Sequence, residues 1–238
     1  MPTGFRRTFA HLLRQAWLAG AAGGLAGVLI GGVVGRLAMF VLRLTSDDRL
    51  RGVQSDDGFT IGRFSTETGF LLAVAASLGS LGAVIYMSVR PALPVRGRRA
   101  CWALLCGTIG GATIIHTDGV DFNLLEPTAL AITMFIALPA GGGWLTVTLI
   151  DRWEPWWTTD RRKTAVATIA AVPVILIGIG IVPGAIFVVT AVVAILAQVE
   201  RLRRVAAHVA LRGAVCLALA TVTVVALVDL TGDVATLL

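Results

Sequence analysis

"AWLAGAAGGLAGVLIGGVVG", residues 16–35, runs through twenty positions without a charged side chain. About 20 apolar residues in a helix are needed to cross a hydrocarbon core about 30 Å thick. The stretch therefore reads as a membrane span, and it is not alone. Hydrophobic residues make up 56% of the 238-residue chain and charged residues only 14%, against about 25% charged in a soluble domain. The mean hydropathy is +0.85. A soluble core of this length has no use for so much apolar surface, so the bilayer is the solvent.

The segment ahead of it, "MPTGFRRTFAHLLRQ", has the basic character of a signal peptide. The apolar run is too long for a signal h-region of about 7–15 residues, so it is expected to stay as the first span. Seven spans are expected, at about 16–44, 69–89, 100–117, 127–150, 164–182, 184–199 and 208–229. Residues 164–199 carry no charge and as one helix would be about 54 Å long. Pro183 and Gly184 are the expected turn, since proline lacks a donor and glycine tolerates positive φ. The expectation is one all-α domain over residues 1–238, a polytopic transmembrane helix bundle with a polar outer loop at 45–68.

Charge orients it. Nineteen of the twenty basic residues are Arg, and they fall mainly between apolar runs. With the N-terminus inside and the C-terminus outside, fifteen basic residues lie on inner segments and three (Arg49, Arg51, Arg63) on outer ones. That is the positive-inside bias of a plasma-membrane protein rather than a nucleic-acid-binding face. All six tryptophans, densest in "DRWEPWW" at 151–157, fall near the expected inner face, where Trp is favoured at headgroup level. Ten of the fourteen acidic residues fall outside. Cys101, Cys106 and Cys216 form no C-x-x-C pair and read as small buried hydrophobes.

Gly23, Gly27, Gly31 and Gly35 recur every four residues, with Gly20 and Gly24 on a second stripe. Such a stripe lets another helix approach closely. The partner is either a helix of the same chain or another protein, a second copy included. Arg36 and Arg43 close the same span. An arginine in hydrocarbon needs a partner or a wet cavity; otherwise it snorkels to the interface. Two further helices look breakable, the fourth at Pro139 with Gly141–Gly143 and the fifth at Pro173.

The polar residues that invite a chemical reading lie on the expected outer face. The loop "SDDGFTI" (residues 55–61) suggests a small hairpin turning at Asp56 and Asp57. "HTDGVDFNLLEP" (residues 116–127) places His116, Asp118, Asp121 and Glu126 between two apolar runs. An iron facial triad needs a second histidine, and His11 and His208 are expected on the other side. An EF-hand spacing is absent. An oxygen-rich site for Ca²⁺, Mg²⁺ or Mn²⁺ fits the residue types. A turn at Asp118–Gly119 followed by Pro127 at the first helical position fits them as well.

Other chemistries find no support. The lone lysine, Lys163, is in an inner loop, and no P-loop, H-E-x-x-H or G-x-S-x-G pattern occurs. No cofactor is implied, the expected surroundings are the lipid bilayer, and nucleic acid is not an expected partner. The stretches "GRLAMFVLRLTSD", "SDDGFTIGRF" and "HTDGVDFNLLEPTALAI" resemble a family of uncharacterised multi-span membrane proteins from high-GC actinobacteria, over residues 35–139. The resemblance implies an architecture and recurring outer-face residues but no activity. Two functions remain open. One is an outward-facing site for a cation or small polar solute, in transport or sensing, drawing on Arg36, Asp56, Asp57, His116, Asp118, Asp121 and Glu126. The other is a membrane assembly protein docking a partner helix on the glycine stripe. A membrane enzyme would need a perturbed outer carboxylate.

Overall fold

The computed structural model describes residues 3–45, 66–115, 127–157 and 209–237. The expected spans at 164–182 and 184–199, the Pro183–Gly184 turn, Pro173 and the hairpin at Asp56–Asp57 lie outside these residues. Among the described residues there is no strand. The chain opens with α1 (Thr3–Ala26), continues without a break through a π-helical segment (Gly27–Val34), and ends that rod as α2 (Gly35–Thr45). Then follow α3 (Thr66–Val89), α4 (Arg98–Ile114), α5 (Thr128–Trp157) and α6 (Val209–Leu237).

Four of these rods are long and apolar enough to cross a membrane: Arg14–Leu42, Gly69–Val89, Thr128–Trp157 and Gly213–Leu237. The 17-residue α4 is about 26 Å long and falls just short of that length. Several helices outrun the spans expected from hydropathy. The first begins at Thr3, α5 continues through "DRWEPWW" to Trp157, and α6 passes Asp229 and Asp233 to end at Leu237. Hydropathy marks only the apolar middle of a helix, whereas backbone hydrogen bonding continues into polar flanks. The expected span at 100–117 instead ends early, as α4, because Ile115 turns extended at φ −88°, ψ 111°. No break occurs at Pro139 or at Gly141–Gly143; α5 runs through them. The Pro139 ring packs against the bare face of Gly110, where an added Cβ would lie 2.6 Å from it. Neighbouring helices commonly make a proline tolerable in this way.

The helices alternate in direction, as two apolar clusters show. One gathers Leu18 and Ala22 of α1, Ala83 and Tyr86 of α3, Trp102 and Leu105 of α4, and Val147, Ile150 and Trp157 of α5. Trp17, Trp153 and Trp156 pack against it, so five of the six tryptophans crowd one end. The other cluster gathers Leu42, Ile115, Ala131, Ile132 and Leu230. The Cys216 thiol of α6 donates to Ala92 O at 3.4 Å, which sets the start of α6 at the tryptophan end and Leu230 at the opposite one. Trp157 and Val209 therefore lie at the same end of the bundle.

Small residues bring the helices together. A Cβ at Gly23 would collide with Gly79 O and lie 2.5 Å from Ala83 Cβ; one at Gly27 would strike Ala75 O. Reciprocally, a Cβ at Gly79 would collide with Gly23 O and sit 2.9 Å from Gly27 Cα. Backbone thus lies on backbone where α1 crosses α3. The Ser80 hydroxyl spans the same seam, donating to Gly20 O at 3.0 Å. In α4, Gly107 meets Ala140 (3.0 Å from an added Cβ), while Gly143 of α5 receives the Cys106 Sγ (2.8 Å).

Gly79→Ala should therefore destabilise the protein by about 1–3 kcal/mol, the usual cost of overpacking. Gly82, three residues on, has nothing within 4 Å of an added Cβ. Gly82→Ala should leave stability unchanged or raise it by up to about 1 kcal/mol through helix propensity. Melting curves of the two variants in neutral detergent, side by side, check the contrast.

Candidate functional site

The sequence places its polar candidates around Arg36 and the segment after Ile115. Of those candidates Arg36 is described; Asp56, Asp57, His116, Asp118, Asp121 and Glu126 lie outside the described residues. Arg36 is half-buried, and its Nε and Nη2 are shielded from solvent. The side chain is engaged rather than free. It follows directly on the π-helical segment, where the Gly35 N–H reaches back to Ile30 O as well as Gly32 O. A reach of five residues widens the helix by one residue per turn, and π-helical turns occur disproportionately at functional sites.

The helix that carries Arg36 is anchored further along. Leu42, six residues on, is fully buried against Ile115, Ala131 and Ile132. Ile115 is the residue before His116, and Ala131 lies one turn into the helix that follows Glu126 and Pro127. Both ends of the 116–126 segment are thus held at the end of the bundle to which the Arg36 helix runs. The four glycines are divided between neighbours. Gly23 and Gly27 lie on α3, Gly31 meets only the Ala75 side chain (3.2 Å from an added Cβ), and Gly35 has Leu138 of α5 at 3.9 Å.

A second polar constellation lies at the tryptophan end. Arg90, just past α3, places Nη1 2.8 Å from Glu154 Oε2 and Nη2 3.7 Å from Asp151 Oδ1. Arg99, in the first turn of α4, donates to Asp151 Oδ2 through Nε at 3.2 Å and Nη2 at 3.1 Å. Asp151 and Glu154 are three residues apart and share a face of α5. Two carboxylates of one helix thereby fasten the ends of two others. The side chains remain 22% to 44% exposed, so each pair contributes about 0.2–1 kcal/mol, as for other solvent-reached ion pairs. Around them the tryptophans interlock: Trp153 and Trp157 stack at 6.1 Å and 7°, and Tyr86 tilts onto Trp102 at 5.4 Å.

The sequence reading places Arg90 and Arg99 on one side of the membrane but pairs neither with a carboxylate. Their partners are 64 and 52 residues away, and no local spacing carries such a signal. The π-helical segment was equally hidden, because glycines there fit a plain α-helical packing stripe. Among the described residues no group of three or more His, Cys, Asp or Glu side chains comes together. No family model, curated protein or solved structure matches the chain.

The ion pairs should behave as a modest clamp. In a double-mutant cycle of Arg90→Gln and Glu154→Gln, the coupling energy read from unfolding in detergent should be about 0.2–1 kcal/mol. Asp151→Asn should cost more than Glu154→Gln, because it releases two arginines.

Proposed function

We propose that this chain is a seven-span plasma-membrane protein, N-terminus inside, whose outer end holds a site for a cation or small polar solute. The site draws on Arg36, Asp56, Asp57, His116, Asp118, Asp121 and Glu126, and serves transport or sensing. The observation that carries the reading is the enclosure of the Arg36 guanidinium, two of whose nitrogens are shielded within the bundle. A snorkelling arginine would extend its head to the interface. An arginine kept inside a membrane helix is costly and marks a polar pathway or binding locus. The π-helical turn beside it and the anchoring of residues 115 and 131 at the same end support the same place.

Seven crossings accord with Trp157 and Val209 lying at one end of the bundle, as they would if a pair of spans returned the chain between them. The basic residues at that end, Arg90, Arg96, Arg98, Arg99 and Arg152, support assigning it to the cytoplasmic face. The assembly reading is weaker, because Gly23 and Gly27 are already covered by α3 of the same chain.

The direct test is the melting temperature of detergent-purified protein with Ca²⁺, Mg²⁺ or Mn²⁺. A cation at 100 times its dissociation constant should stabilise the fold by about 2.7 kcal/mol. The shift should vanish in Asp118→Asn/Asp121→Asn. Absence of a shift with every cation would sink the cation reading. Orientation has its own check in a cysteine-free background (Cys101→Ala, Cys106→Ala, Cys216→Ala). A membrane-impermeant maleimide applied to whole cells should label Asp57→Cys and leave Arg96→Cys unlabelled.

A further inference from the structure

The π-helical segment offers α3 a choice of two glycines. Gly27 lies against α3, where an added Cβ would strike Ala75 O. One turn on, the residue that returns to that face is Gly31 in α winding and Gly32 in π winding, four or five residues along. The winding here is π, and Gly32 is the buried one; a Cβ added to it would collide with the Leu72 side chain of α3. Gly31 is exposed, with Ala75 Cβ 3.2 Å from an added Cβ. Because both positions are glycine, either can take the place against Leu72.

The helix beyond can follow a change of winding. Rewinding from π to α takes up one residue fewer, so each residue of α2 moves into the place its successor now holds. That is a turn of about 100° and an advance of about 1.5 Å. The buried residues of α2 are Ala38 and Leu42, and their places would pass to Leu37 (57% exposed here) and Val41 (39%), apolar for apolar. Val34 would take the place of Gly35, where no atom lies closer than 3.8 Å to an added Cβ. The Gly35 N–H is already shared between Ile30 O and Gly32 O, and its α-helical acceptor, Gly31 O, lies between them in the chain. Backbone hydrogen bonds are thus exchanged rather than lost.

We propose that residues 27–34 form a rewinding joint that switches the rod between this π register and an α register. Arg36, half-buried with Nε and Nη2 shielded from solvent, is thereby carried to the exposed place of Leu37, from which a long side chain snorkels to the interface. Helix register shifts of this kind occur on the μs–ms scale. The joint deepens the transport or sensing reading and rests on it for its purpose, since a ligand that favours one place of Arg36 selects one register. The rewinding itself is read without any cation, so the two can fail separately.

The test is disulfide trapping of the whole protein in its membrane, in the cysteine-free background. Leu42 and Ala131 are buried in one cluster, so Leu42→Cys/Ala131→Cys reports the π register. Val41→Cys/Ala131→Cys reports the α register, because cysteines whose Cβ vectors diverge do not bridge. Oxidation with copper–phenanthroline should produce both links. Gly32→Val clashes with Leu72 only in the π register and should raise the ratio of the Val41 link to the Leu42 link about fivefold or more. Gly31→Ala brings its methyl against Leu72 only in the α register and should lower that ratio about fivefold. A bridge from Leu42→Cys alone, however long the oxidation, would overturn the proposal. So would a ratio unmoved by Gly31→Ala, the milder variant, whether or not Gly32→Val folds.

Discussion

Where α1 crosses α3, main chain rests on main chain, and the other helices are arranged around that contact. Gly23, Gly27 and Gly79 have no side chains to hold the axes apart, and Ala75, Ala76 and Ala83 complete the seam. In lipid this matters more than apolar burial. Hydrocarbon tails are as apolar as leucine, so helices associate through close van der Waals packing and interhelical hydrogen bonds such as Ser80 to Gly20. The same rule governs the second pair, in which Gly107, Gly110 and Gly143 bring α4 against α5 and accommodate Pro139 and Cys106. Large apolar side chains are left for the outside: Leu37, Leu104, Leu217 and Val228 are all more than half exposed.

That division leaves polar chemistry to the two ends. At the tryptophan end, α3, α4 and α5 finish in arginines and carboxylates that meet each other, and the indole rings pack just inside them. Ionic groups are affordable there because water reaches them, which is also why each pair adds little stability. Arg36 differs from these in lying within the apolar rod Arg14–Leu42, with Nε and Nη2 shielded from solvent. Its position directly after the π-helical segment, in a rod already widened there, distinguishes it from the arginines that merely terminate helices.

The resulting assignments differ in standing because the forces behind them differ in range. Helix-forming apolar runs are local, so residues 16–44, 69–89 and 127–150 could be read as helices from composition. Their ends could not, since "DRWEPWW" and the Asp229–Asp233 stretch are polar yet helical. The crowding of tryptophan was visible in outline, because Trp17, Trp102, Trp153, Trp156 and Trp157 all flank span ends. Within the candidate site the sequence singled out Arg36, and the packing of Leu42, six residues further along its helix, against Ile115 became apparent only in three dimensions. The Arg90–Glu154 and Arg99–Asp151 pairs, joining residues 64 and 52 positions apart, had no sequence signature at all.

The sequence by itself determined that the chain is helical and built for a bilayer, because apolar run length and the low charge content are sums over neighbouring residues. It also marked Gly23 and Gly27 as packing positions, since a four-residue period places them on one helix face. Only the tertiary structure decided what that face meets, splitting the stripe between α3 and α5. It alone decided which arginine meets which carboxylate, that Nε and Nη2 of Arg36 are shielded from solvent, and that the Tyr86 hydroxyl lies buried. Those outcomes depend on how separate helices are placed against each other, and helix placement is set by close packing across the whole bundle rather than by any local pattern.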